Sequence, residues 1–247
     1  VNSINWARLM AQVVYYFYAA VRLGAPNREV AFSVPTGNFG DVFAGYVAAQ
    51  MGLPAAKLVD ATNANDILHR AQTSGDYSAG TVTPTATPSM DIQVSSNFER
   101  LLFDLAGRDG AAITGMMGEF DANRAMTIPA DMLAGARDLF ASASIDGDAM
   151  ALALRWAQER GGQVIDPHSA VGLAAARALD IDADIPVVTL ATAHPAKFRE
   201  AVERATGVRP PLPARLGNLF EREARYTKLP GHYDAVKAFI LAEAARG

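Results

Sequence analysis

The run Ser33-Val34-Pro35-Thr36-Gly37-Asn38-Phe39-Gly40-Asp41 sets two glycines in a short turn behind an apolar stretch. Glycine lets backbone amides approach an oxyanion closely, and a helix starting at Asp41 adds its positive end, so such a turn can hold a phosphate without lysine or arginine. The same residues can equally serve strand-to-helix geometry alone. Asp41 is the awkward member, because a carboxylate beside a dianion is unfavourable unless it faces away; its other role is to stabilise the helix start. A second donor group is Asn2, Ser3, Asn5 and Arg8. Arginine offers a planar fork matched to phosphate, and Asn and Ser add neutral donors that fix its orientation. The competing reading has Asn2 or Ser3 capping a helix that carries Arg8 on its solvent side, and it competes hardest for Asn5.

The elements that must position these groups alternate as in an α/β protein with a mostly parallel sheet flanked by helices. A helix is predicted from Ile4 to Leu23, a strand over Val30 to Val34, a helix from Asp41 to Met51, a strand over Lys57 to Asp60 and a helix from Asp66 to Thr73. Residues 74–96 turn to Thr, Pro, Ser, Gly and Ala without period and read as a long loop near the site mouth. Helical patterns resume at Asn97 to Ala106, Pro129 to Phe140 and Asp146 to Arg160, with strands near Ala111 to Met117 and around Val164. A helix over Ala170 to Leu179, a strand over Pro186 to Leu190 and a helix over Pro195 to Ala205 complete this run. The tail, 208–247, is read as a helical segment with helices near Leu216 to Ala224 and His232 to Ala244. In open α/β sheets ligands sit outside the carboxyl ends of strands, so Thr36 to Asp41, Thr62 to Asp66 and Thr192 to Pro195 can meet in one crevice.

Composition narrows the function. With a net charge of -4 over 247 residues and no basic run, a nucleic-acid surface is excluded. No run of about 18 apolar residues exists to span a membrane. There is no cysteine, hence no disulfide, thiolate nucleophile or cysteine-ligated metal, and the cytoplasm is the default compartment. No histidine spacing resembles a zinc site, so no metal is expected. His69 and His232 read as surface residues, and Tyr15 to Tyr18 as helix packing. Asn63, Asn65 and Asp66 either border the site or cap the next helix.

Five segments in fixed order carry a resemblance. They are Val1 to Arg8, Ser33 to Asp41, Ala61 to Asp66, Asp166-Pro167-His168-Ser169-Ala170-Val171-Gly172 and Leu190-Ala191-Thr192-Ala193-His194-Pro195-Ala196-Lys197-Phe198. Together they resemble threonine synthases of the longer bacterial and fungal type, pyridoxal-phosphate enzymes of the tryptophan synthase β-like fold family. The resemblance implies that this chain is the C-terminal portion of such an enzyme, needing the N-terminal part of its own protein. The family's Schiff-base lysine lies in that part, and none of Lys57, Lys197, Lys228 and Lys237 sits in a matching segment, so no catalytic nucleophile is assigned here.

On the same resemblance, Thr36, Gly37, Asn38, Phe39 and Gly40 hold the phosphate of pyridoxal 5'-phosphate, and Thr192 faces its pyridine nitrogen. A hydroxyl can donate to an unprotonated nitrogen, where a carboxylate would favour a pyridinium. Without that context Thr192 reads as a strand end that caps the next helix, and Thr189 is its nearest confuser. Asn2, Ser3, Asn5 and Arg8 take the substrate phosphate, and His168 and His194 shape the pocket. The implied reaction is a lyase step in threonine biosynthesis, O-phosphohomoserine and water giving threonine and phosphate, with the isolated portion inactive. Two rivals stand: a related phospholyase acting on another amino-acid phosphate, and a non-catalytic phosphate-binding or interaction domain.

Overall fold

The computed structural model describes residues 4–245, and these divide into one compact unit ending at Pro211 and a second from Leu212 onward. Chain order in the first unit begins with α1 (Trp6–Arg22), β1 (Val30–Pro35), α2 (Gly40–Gln50), β2 (Ala55–Thr62) and α3 (Ile67–Ser74). Then come β3 (Asp76–Ser78), α4 (Phe98–Leu105), α5 (Gly110–Asn123), β4 (Ala125–Thr127), α6 (Ala130–Arg137) and β5 (Phe140–Ser144). The unit closes with α7 (Gly147–Gly161), α8 (Pro167–Ala178), β6 (Val187–Thr189) and α9 (Arg199–Thr206). The second unit holds two 3-10 turns, Ala214–Leu216 and Leu219–Glu221, and α10 (Tyr233–Ala244). No helix among the described residues is long and apolar enough to cross a membrane.

The main sheet is parallel throughout, in the order β5-β2-β1-β6. Strand alternation divides the core. On β2, Leu58 joins the cluster built from α1 to α6, while Val59 and Ala61 join the one built from α7 and α8 on the opposite face. Burying both faces accounts for the fully apolar Val30 to Val34, apart from Ser33, whose hydroxyl donates to Gly172 O at 2.6 Å. Gly172 itself is needed there, because a Cβ would lie 3.0 Å from Thr189 Cγ2 and 3.1 Å from Pro35.

The elements through α3 form as the sequence predicts, within a few residues. Ala111 to Met117 is not a strand but part of α5, which Asp109 caps by accepting from Ala111 N and Ala112 N; Ile113 and Phe120 are its buried residues. No strand forms at Val164. The fourth parallel strand is β5, Phe-Ala-Ser-Ala-Ser, whose small residues carry almost no strand signal and whose Phe140 falls at the end of a predicted helix. That helix, α6, stops at Arg137. Gly217 and Asn218 split the predicted helix at Leu216 into the two 3-10 turns, and a further 3-10 turn, Pro195–Phe198, precedes α9. Within 74–96, β3 pairs antiparallel with β4 and a 3-10 turn forms at Pro88–Met90; the rest is loop.

Candidate functional site

At the carboxyl end of β1 the chain turns into α2 through residues 36–40. The Thr36 amide is committed to Ala61 O at 2.8 Å, which ties the turn to β2. Two carbonyls further along are also claimed: Ser95 Oγ donates to Gly37 O at 2.9 Å and Asn97 Nδ2 to Asn38 O at 3.0 Å. Peptide planarity then points the next amides, of Asn38 and Phe39, the opposite way. Phe39 is left-handed, with φ 61 and ψ 1, and α2 finds its first backbone acceptor only at Phe43 N to Phe39 O, 2.9 Å. A left-handed residue opening a helix makes a concave array of free amides, a ready anion site. Phe39 holds this conformation because its buried ring packs on Phe98 and Phe140, with centroids 5.1 and 5.8 Å away. Gly37 is required by close approach: a Cβ there would sit 2.8 Å from Ser89 O.

The turn forms one wall of a cavity of about 610 Å³. A second wall is one face of α1, Arg8, Gln12, Tyr15 and Ala19, spaced as a helix face must be. A third is the end of β6 with the segment after it, Thr189 to Ala193, together with His168 and Lys197. Ser89 and Met90 complete it. Thr36, Gly37, Asn38, Phe39, Gly40, Thr192 and Arg8 are therefore brought together. Asn5 is not among the lining residues; it caps α1, its Oδ1 accepting from Ala7 N at 2.9 Å. His194 likewise stays out, exposed, its Nδ1 accepting from Ala196 N at 3.1 Å. Asn2 and Ser3 lie outside the described residues.

Beneath the third wall runs a directional network. Asp166, fully buried, accepts from His168 N at 2.9 Å and His168 Nδ1 at 3.0 Å on one oxygen, and from the Ser169 hydroxyl on the other. Burial pushes this carboxyl up, but the hydrogen bonds from His168 and Ser169 outweigh it and hold it below the usual range. An ionised carboxylate can only accept, so Nδ1 of His168 carries a proton, while Nε2 is buried with no partner among the described residues. Ser169 Oγ, its own proton given away, accepts from Thr192 N at 3.3 Å.

Two carboxyls near the turn are driven the other way. Burial pushes Asp60, on β2 opposite Val34, up to about 7 against hydrogen bonds from Thr36 and Gln72. Asp41 is among the residues that line the cavity; burial lifts its carboxyl to about 6 despite a hydrogen bond from Tyr16, whose hydroxyl also donates to Asp41 O at 2.7 Å.

Sequence reasoning missed Gln12, Tyr15 and Ser89. The first two were legible from Arg8 by helical spacing, and Tyr15 lines the cavity while Tyr16 packs in the core. His69 is half-buried, its Nδ1 2.9 Å from Ser142 Oγ. Asn63 and Asn65 are buried and hold the loop: Asn63 Nδ2 donates to Asp91 Oδ1 at 2.7 Å and Thr87 Oγ1 at 2.8 Å, and Asn65 brackets Thr83 through both its amide atoms. Asp66 makes no side-chain cap on α3 and pairs instead with Arg70 at 3.0 Å.

Residues 169–240 match the family model described as "Threonine synthase, C-terminal". A threonine synthase of Pseudomonas aeruginosa is 52% identical over 248 residues, covering 100% of this chain and 53% of that protein. Among solved structures, PLP-bound threonine synthase from Brucella melitensis superposes with a TM-score of 0.93 at 50% identity, over 97% of this chain and 52% of that one. Yeast threonine synthase gives 0.91 at 37% identity, over 100% and 54%. Similarity to threonine synthases thus runs the length of this chain, which spans about half the length of the curated relatives it matches.

Proposed function

We infer that this chain is the C-terminal half of a threonine synthase, and that in the whole protein it holds pyridoxal 5'-phosphate and the phosphate of O-phosphohomoserine, which with water gives threonine and phosphate. The observation that carries the reading is the meeting of three separated motifs, 36–40, Arg8 and Thr192, around one cavity of about 610 Å³. That volume suits a cofactor together with a small substrate.

The residues fit the cofactor. The cup at 36–40 offers uncommitted amides with no side chain at Gly37 or Gly40, the arrangement a phosphate monoester takes. Thr192 would present its hydroxyl to the ring nitrogen, and His168, whose buried Nε2 has no partner among the described residues, stands in the same wall. When bound, the cofactor supplies an electron sink for the substrate's α and β carbons. This chain's residues bind and orient around it. Arg8 takes the leaving phosphate in its planar fork, with Gln12 and Tyr15 beside it on α1. Thr192, a neutral partner, keeps the ring nitrogen unprotonated. The lysine that bonds the cofactor comes from the other half, so this half alone has no turnover.

The test is uptake and turnover by the whole protein. It should bind pyridoxal phosphate far more tightly than pyridoxal, which lacks the phosphate, and release inorganic phosphate from O-phosphohomoserine. Equal affinity for the two aldehydes would remove the cup from the reading. Turnover by the isolated 247 residues would remove the assignment of the lysine to the other half.

A further inference from the structure

The cup has a second wall that no motif announced. The 3-10 turn Pro88–Met90 lies against Gly37 so closely that Ser89 O occupies the space of a Cβ, and Ser89 and Met90 both line the cavity. Ser89 is exposed there, and its hydroxyl makes no hydrogen bond among the described residues. Loop residues of this composition seldom hold so close a position unaided. Here the position is imposed from the end of β2. Asp91 accepts at Oδ1 from Asn63 Nδ2 at 2.7 Å, Asn65 Nδ2 at 3.1 Å and Thr85 Oγ1 at 2.6 Å, and at Oδ2 from Thr85 N at 2.8 Å. Asn63 in turn is fixed by Asn65 N, which donates to its Oδ1 at 2.9 Å. The turn is closed by Met90 N to Thr87 O at 2.8 Å, and Thr87 itself is buried under Asn63.

We propose that the Pro88–Met90 turn is the second wall of the anion cup, that Ser89 donates its hydroxyl to the bound phosphate monoester, and that Asp91 and Asn63 are the positioning residues that hold Ser89 there. The proposal rests on the reading that residues 36–40 bind a phosphate. Asp91 does not touch the ligand. It acts by fixing the distance between the turn and Gly37, so its effect passes through Ser89.

That dependence gives the test. In the whole protein, Ser89→Ala, Asp91→Ala and the double variant are compared for pyridoxal phosphate affinity, for the KM of O-phosphohomoserine and for the thermal midpoint without ligands. Ser89→Ala should weaken one of the two phosphate ligands about tenfold, the loss of one charge-assisted hydrogen bond, and leave the midpoint unchanged. Which of the two weakens identifies whose phosphate the turn contacts. Asp91→Ala should weaken the same ligand at least as much, and adding Ser89→Ala to it should cost nothing further. Thr85→Val, which removes one donor to Asp91, repeats the comparison should Asp91→Ala fail to fold. Ser89→Ala with both ligands bound as in the wild type, or additive losses in the double variant, overturns the proposal. A wild-type protein that binds pyridoxal as well as its phosphate refutes instead the cup on which it rests.

Discussion

The backbone amide of Thr192 donates to the hydroxyl of Ser169, whose own proton is committed to the buried Asp166. Thr192 is otherwise an exposed residue past the end of a three-residue strand, a place where backbone drifts. The serine gives it an anchor on α8, and Asp166 ensures that this serine can only accept.

Ser169→Ala in the whole protein should therefore loosen Thr192 without touching the cavity, weakening cofactor retention by about 0.5–1.5 kcal/mol, the worth of one neutral hydrogen bond. Dialysis and then the absorbance of retained cofactor measure it. Retention equal to wild type would show that Thr192 holds its place unaided.

Thr192→Asp should favour a protonated ring nitrogen and divert flux from threonine toward α-keto products, whereas Thr192→Val should lose some cofactor but keep the product ratio. The ratio of threonine to keto acid separates the two. An unchanged ratio in the aspartate variant would leave Thr192 as no more than a strand end.

Arg8→Ala should lower kcat/KM for O-phosphohomoserine by about 1.5–3 kcal/mol while the cofactor spectrum stays as in wild type, since Arg8 lies on α1 and not on the cup. Loss of the cofactor instead would place Arg8 at the other phosphate.

Asp60 and Asp41 keep their protons in the folded chain up to about 7 and about 6, against an ordinary 3.8. Between about pH 4 and 7 these two sites thus bind more protons in the folded state than in the unfolded one, so their contribution to stability falls as pH rises. Each pH unit over which one site stays protonated only when folded is worth about 1.4 kcal/mol. Asp60 Oδ1 and Gln72 Oε1 are both buried without partners among the described residues, and Asp60→Asn replaces the titrating oxygen with an uncharged N–H donor. Denaturant unfolding at pH 5 and pH 8 should show the variant gaining on wild type at the higher pH. A gain confined to pH 5 would reverse the sign argued here.

The strand, turn and helix start over 33–41 were legible because glycine, helix start and apolar strand are local signals; Arg8 was read from the donors of its short motif, and the fold puts it on the same cavity. Asn5 was half legible: the same side chain that can bind an anion can cap a helix, and only the fold shows the cap taken. β5 was not legible, since Ala and Ser alternate without strand propensity and become a strand only through pairing with β2. Ser89 was hidden for another reason. Its place depends on Asp91 meeting Asn63 from 28 residues away, a contact that no periodicity announces.

Phe39 pays for its left-handed backbone once, when the chain folds. Its ring belongs to a lattice in which Phe98 stacks on Tyr77 at 5.5 Å and Tyr77 tilts against Phe120 at 5.0 Å, while the Tyr77 hydroxyl accepts from Ser95 N at 2.8 Å beside the carbonyls of the turn. An anion arriving at these amides meets a loop whose conformational entropy is already lost, so its binding should be enthalpic, with little change in heat capacity.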